Sequence, residues 1–240
     1  YSEALLELAI LGLNKCRERY PYPLIDNYKF SLASVYLGQK KYEYAESILR
    51  ELLENKSNQK DKIYNLLSKS LSLQGDFDEA EEIAKELLKK NEKKFIDDNN
   101  KEILSSLANL AYIYQQQKLH DKSLEYTKRI LNPKNKNAFN SLRRELQSSI
   151  INNSALSFLA LGLYNESENL FKLVLELNNT IYKKDSHFDI QALKGLAKIY
   201  ASKGEYEKSS EYSYKALSQI FISIQNLIQG INIAERYKFV

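Results

Sequence analysis

Five copies of one spacing constrain this chain more than its composition does. A slot that holds Lys40, Gly75, Lys118, Gly162 and Gly204 recurs at intervals of 35, 43, 44 and 42 residues. Two residues after it stand Tyr42, Phe77, His120, Tyr164 and Tyr206; five after it stand the small residues Ala45, Ala80, Ser123, Ser167 and Ser209. Seven before it stand Ala33, Ser68, Ala111, Ala155 and Ala197, and four before it the bulky Tyr36, Leu71, Tyr114, Phe158 and Tyr200. No reaction needs that set of residues. Two helices joined by a short turn do: the small residues let the helices approach, the bulky ones fill the space beside the contact, and glycine relieves strain in the turn. Where lysine replaces glycine, the turn either takes an ordinary backbone conformation or accepts strain. Repeats of this period cannot bury their apolar faces singly and must stack.

Composition agrees with a mostly helical protein. The 240 residues include three Pro, seven Gly and 28% charged residues, in long Leu/Ala/Lys/Glu/Ser runs. Lys and Arg number 35 against 31 Asp and Glu, interspersed, for a net charge of +4. That balance describes an ordinary solvated surface rather than a nucleic-acid binder. The clusters "KKNEKK" (89–94) and "NPKNKN" (132–137) fall at expected helix ends and loops, where lysine also meets terminal carbonyls, and they lack interleaved aromatics for base stacking.

The matching stretches are "LASVYLGQKKYEYAESIL" (32–49), "LSKSLSLQGDFDEAEEIA" (67–84), "LANLAYIYQQQKLHDKSLEY" (107–126), "SALSFLALGLYNESENLF" (154–171) and "LAKIYASKGEYEKSSEY" (196–212). They resemble the tetratricopeptide repeat family. The first, with "RERYPYP" (17–23) leading in, is similar to repeats of bacterial envelope-assembly proteins. The later spacing near 42, with "DDNNKEI" (97–103) and "DSHFDI" (185–190) before the next helix, is more like the kinesin-light-chain type and its bacterial relatives. The chain departs from the family in having no Trp and in lacking, from most copies, the proline that ends a repeat. The resemblance implies an all-α fold, a right-handed superhelical solenoid of antiparallel helix pairs, used to bind protein or peptide.

The expected division is one continuous domain: 1–18 as the second helix of a truncated repeat, then repeats at 24–57, 61–94, 101–132, 138–178 and 188–216, then a long C-terminal or capping helix at 217–240. In that last segment Ile220, Phe221, Ile224, Leu227, Ile228 and Ile231 form a helical stripe. Either a further element covers it or it mediates self-association. Residues 1–18 fitting only half a repeat, with Tyr1 in place of Met, suggest a piece of a larger protein.

In stacked helix pairs the first helix of each pair lines the concave side. Its non-core face sits 13, 10, 6 and 3 residues before the slot. The candidate groove residues on that face are Asn27, Phe30, Lys62, Asn65, Lys69, Tyr112, Gln115, Asn152, Leu156, Gln191, Lys194 and Lys198. The twenty positions of that face hold four Lys and no Asp or Glu, so the groove is neutral to basic and suits an acidic segment or a C-terminal carboxylate. Asn65 and Asn152 are expected to pair with an extended backbone through amide donor and acceptor. Lys62 and Lys69 are expected to meet a carboxylate, and Tyr112 to supply flat contact area. The alternative is that these are solvated helix faces.

Catalysis finds no footing. Cys16 lies in a helical segment and reads as a small hydrophobe, with no internal disulfide partner. His120 occupies the aromatic slot. His187 reads as part of a solvated loop with Asp185 and Asp189, and no second His or Cys stands at ligand spacing, so neither metal nor cofactor is expected. No phosphate-cradling glycine loop, HExxH or GxSxG occurs. No apolar run reaches 18 residues and no leader pattern opens the chain, which points to the cytoplasm, with the cell envelope as the alternative. The leading expectation is a non-catalytic scaffold. Its rivals are a peptide-sensing regulator like the intracellular pheromone receptors with similar repeats, whose output domain lies outside this segment, and a regulatory module of a larger enzyme.

Overall fold

The recurring slot ends a helix in the same way five times. Gly75, Gly162 and Gly204 have φ of 99°, 75° and 77°, and Lys40 and Lys118 both have φ of 62°. All five backbones are therefore left-handed, so the two lysines accept the strain. In each copy the next N–H donates to the carbonyl of the bulky residue four before the slot: Lys41 to Tyr36, Asp76 to Leu71, Leu119 to Tyr114, Leu163 to Phe158 and Glu205 to Tyr200, at 2.9–3.0 Å. This is the six-to-one closure of a helix C-terminus. It explains why the slot demands positive φ and why the spacing to the bulky residue never varies.

The computed structural model describes residues 2–15, 22–55, 59–95, 97, 99–179 and 187–236. Among them the elements run α1 (Ser2–Lys15), α2 (Tyr22–Gly38), α3 (Tyr42–Glu54), α4 (Lys60–Gln74), α5 (Phe77–Lys94), α6 (Lys101–Gln116), α7 (His120–Ile130), α8 (Lys136–Ser141), α9 (Arg144–Ala160), α10 (Tyr164–Asn179), α11 (His187–Ser202) and α12 (Tyr206–Arg236), with one 3₁₀ turn at Pro133–Asn135. No strand occurs among the described residues. The fold is all-α. Two compact units divide the chain, Tyr1–Phe139 and Asn140–Val240.

In the first unit each helix packs on the next from α1 to α7, and α4 also packs on α6. In the second, α9 to α12 pack in order and α9 also touches α11. Contact between alternate helices marks stacked helix pairs, the solenoid arrangement. The expected core positions are filled as the slots require: Ala33, Leu67, Leu107, Leu110, Ala155, Leu193, Leu196 and Tyr200 are buried.

The small residues do more than leave room. Ser123 Oγ donates to the Ala111 carbonyl at 2.8 Å, Ser167 to Ala155 at 2.7 Å and Ser209 to Ala197 at 2.9 Å. The slot five after the turn is thus tied to the slot seven before it. A buried hydroxyl must find an acceptor, and the close approach supplies one.

Two local departures from expectation appear. The long interval before Gly162 folds into a 3₁₀ turn and the short α8, so the first helix of that pair begins at Arg144 rather than near 138. Pro133 fits the first position of such a turn. Asn132 accepts from the Lys134 N–H at 3.0 Å, and Asn135 Nδ2 donates to the Arg129 carbonyl at 2.8 Å, satisfying the end of α7. His187 is the first residue of α11, not a loop residue. "KKNEKK" does end α5, whose last residue is Lys94. Cys16 and Asp185 lie outside the described residues.

Candidate functional site

In the first unit, α2, α4 and α6 carry the first-helix face. Lys69 and Tyr112 come together there. Lys69 Nζ sits 5.1 Å above the Tyr112 ring. Both groups are largely removed from water. Burial alone pushes the Lys69 ammonium below the ordinary lysine value, and it pushes the Tyr112 hydroxyl up to about 12, with the nearby Tyr42 adding to the rise. No carboxylate lies within 4 Å of the Lys69 ammonium among the described residues. One helical turn before Lys69, Asn65 has a buried Oδ1 with no hydrogen-bond partner. The α6 residue at the register that Gln191 holds in the second unit is Ser105, whose hydroxyl donates to the Lys101 carbonyl at 2.7 Å. A desolvated cation without a counter-charge and an amide oxygen without a donor each cost free energy unless something fills them. Perturbed groups of this sort cluster at functional sites.

The remaining candidates of this unit surround that pair without joining it. Lys62 is exposed and donates to Gln59 Oε1 at 3.2 Å. Asn27 is exposed and accepts from Gln59 Nε2. Phe30 and Gln115 are half-buried, and Gln115 Oε1 accepts from Gln116 Nε2 at 2.8 Å. Behind the face, Asn109 Nδ2 donates to Ser68 Oγ at 2.5 Å, which ties α6 to α4.

In the second unit the amides pair with each other. Asn152 is wholly buried, and its Nδ2 donates to Gln191 Oε1 at 2.6 Å; Gln191 Nε2 lies 2.7 Å from His187 Nε2. The expectation that Asn152 meets an incoming backbone therefore finds a side chain with no exposed surface, whose donor is engaged and whose Oδ1 is enclosed without a partner. Leu156 is half-buried, and Lys194 and Lys198 are exposed on α11. Neither lysine has a carboxylate within 4 Å among the described residues.

Sequence reasoning missed a second recurring constellation, on the contact between successive pairs. Glu168 of α10 accepts from Tyr200 Oη at 2.6 Å, Lys172 Nζ at 2.7 Å and Lys203 Nζ at 2.7 Å. Burial pushes its carboxyl up, but the three donors outweigh it and hold it at about 2. Tyr200 stacks on Tyr212 at 5.4 Å, and Lys208 lies 5.2 Å above the Tyr200 ring. The first unit repeats the pattern at the same offsets, with Tyr114 on Tyr126 at 5.5 Å and Lys122 at 5.3 Å. The signal was present as Tyr, Lys and Tyr at offsets −4, +4 and +8 from the slot in both copies. This ladder joins helices and offers no reactive group to a substrate.

Among the described residues, histidines and acids form no centre. His120 is half-buried in its packing slot, and Asp189 accepts from Asn178 Nδ2 at 2.5 Å. Among the described residues no three His, Cys, Asp or Glu side chains group as metal ligands. No helix among them is long and apolar enough to cross a membrane.

Models of a tetratricopeptide repeat match residues 62–98 and 146–219. Those segments hold α4–α5 and α9–α12, with the Gly75, Gly162 and Gly204 turns. Those two segments are matched as tetratricopeptide repeats. A search of curated proteins gives no match. Among solved structures, the repeats of a putative kinesin light chain from Podosopora anserina, described as nearly identical TPR-like repeats, align with a TM-score of 0.60 and 16% identity, over 85% of this chain and 99% of that one. NprR in complex with its cognate peptide NprX aligns with a TM-score of 0.62 and 15% identity, over 99% of this chain and 68% of that one. A Rap protein complexed with Competence and Sporulation Factor aligns with a TM-score of 0.66 and 14% identity, over 88% of this chain and 57% of that one. At these identities the likeness is one of fold.

Proposed function

We propose that this tetratricopeptide-repeat chain is a non-catalytic binding module, and that the α4–α6 face of its first unit takes the carboxylate end of an extended peptide. The observation that carries the reading is the juxtaposition at Lys69. A desolvated ammonium stands over Tyr112 with no carboxylate beside it among the described residues, one turn from the unpartnered Asn65 oxygen. A peptide's last residue offers a carboxylate and, close by, a backbone N–H. The carboxylate suits Lys69. Tyr112 supplies rigid amphipathic area, and the helices are already in place, so little ordering cost falls on the protein. Lys62 adds positive charge at the edge.

The test is a synthetic peptide array anchored by its N-termini, with each sequence present as the free acid and as the C-terminal amide. Wild-type protein is expected to bind a subset of the free acids and to lose them on amidation. Lys69→Ala is expected to lose the same subset. Equal binding of acids and amides contradicts the carboxylate assignment.

A second reading, a peptide-sensing regulator acting on an output domain outside this segment, draws on the likeness of fold to NprR and Rap in their peptide complexes. It uses the same face. A peptide-dependent change in amide exchange at helices remote from α4 and α6 within the first unit would distinguish it from a passive scaffold.

A further inference from the structure

The helix α12 has 31 residues where its partner α11 has 16. At 1.5 Å per residue these are about 46 and about 24 Å long, so the second half of α12 runs past the helix it packs on. The early part is well held: Ser209 is tied to Ala197, Tyr212 stacks on Tyr200 and Ala216 is buried. A separate stripe is not held. Tyr214, Leu217, Phe221, Ile224 and Ile228 follow one another at steps of 3, 4, 3 and 4, and each is between 49% and 73% exposed. Spacing of 3 and 4 in alternation puts side chains on one line along a helix, the a and d seam of a helix-to-helix contact.

Charge indicates what covers the stripe. Residues 216–234 contain no Asp, Glu, Lys or Arg, although 28% of the chain is charged. One flank of the stripe holds Ser218 and Gln225, and the other holds Ile220 and Leu227. A membrane-surface helix would carry a basic polar face, which is missing. A partner steered by charge would need charge to steer it. Two copies of the same surface, by contrast, bring identical charges together, and a surface without charge avoids that repulsion. An overhang rich in Ser, Asn and Ile also has little intrinsic helix strength and gains it from packing.

We propose that the exposed seam of α12 pairs with the same seam of a second copy of this chain in a two-fold contact centred near Phe221. The test is light scattering of the purified chain over a concentration series. Wild type is expected to show dimer mass that falls toward monomer on dilution. Phe221→Glu and Phe221→Lys, each alone, are expected to weaken the dimer at least about thirtyfold, the loss of one anchor. An equimolar mixture of the two variants is expected to regain dimer mass, which separates a lost contact from a misfolded helix. Wild type that stays monomeric throughout overturns the proposal. So does a Phe221→Glu protein that dimerises as wild type does, or a mixture that fails to recover while both variants keep wild-type helicity. None of these outcomes depends on the peptide reading.

Discussion

Lys118 and Lys40 hold a backbone conformation that the other three copies assign to glycine. Each has a Cβ in the left-handed region, at a cost of about 1 kcal/mol. Lys118→Gly should therefore stabilise the chain and raise the midpoint of the first unit's unfolding by about 2–4 °C, read by thermal circular dichroism. A lower midpoint would mean that the lysine side chain contributes more than its backbone costs. Glu168 gives the opposite kind of prediction. Its carboxyl is held at about 2 in the folded state against an ordinary value of 4.5. A depressed carboxylate adds stability above the unfolded value and loses it as pH falls through the folded one. The second unit should thus lose stability between about pH 4.5 and pH 2. Glu168→Gln should cost about 1–3 kcal/mol at neutral pH and flatten that acid slope. An unchanged slope in denaturant titrations at several acid pH values would show that the ladder contributes little.

At the scale of the element, Gly195 sets how closely α11 can lie on α10. A Cβ at that position would fall 2.3 Å from the ring of Phe171, which is wholly buried. Gly195→Ala should cost about 1–3 kcal/mol or more by overpacking, measured by urea unfolding. Phe171→Leu in the same chain should recover part of it. The sequence made the helix pairs legible because the closure at each turn fixes three offsets at once: the slot, the bulky residue whose carbonyl is used, and the small residue facing its counterpart. It hid Gly195, because a glycine inside a helix carries no mark of what lies opposite. It hid the 3₁₀ turn and α8 for a related reason: the extra residues between Lys118 and Gly162 have no periodic pattern, and their structure rests on side-chain amides of Asn132, Asn135 and Gln147 reaching backbone atoms. The candidate face was legible as a set of positions but not as a set of states. Periodicity put Asn65 and Asn152 in equivalent places; it could not show that Gln191 takes the Asn152 Nδ2 donor, or that both amide oxygens are enclosed without a partner.

At the scale of the whole molecule, the tetratricopeptide repeats supply rigid faces and no reactive centre among the described residues, and the first unit holds a desolvated ammonium at Lys69 on its first-helix face. That ammonium has a pH signature. Burial lowers the Lys69 value, so the ammonium gives up its proton sooner than that of an exposed lysine, and a bound carboxylate favours the charged form. Affinity for an acidic peptide end should therefore fall as pH rises through the depressed value, below the range where ordinary lysines titrate. The most direct measurement is a calorimetric titration of an array-selected free-acid peptide into wild type, Lys69→Ala and Tyr112→Ala, at matched helicity. The binding account predicts losses of about tenfold or more for each variant, the equivalent of about 1.4 kcal/mol per anchor. Affinities equal to wild type in both variants would contradict it and remove the α4–α6 face as the binding site.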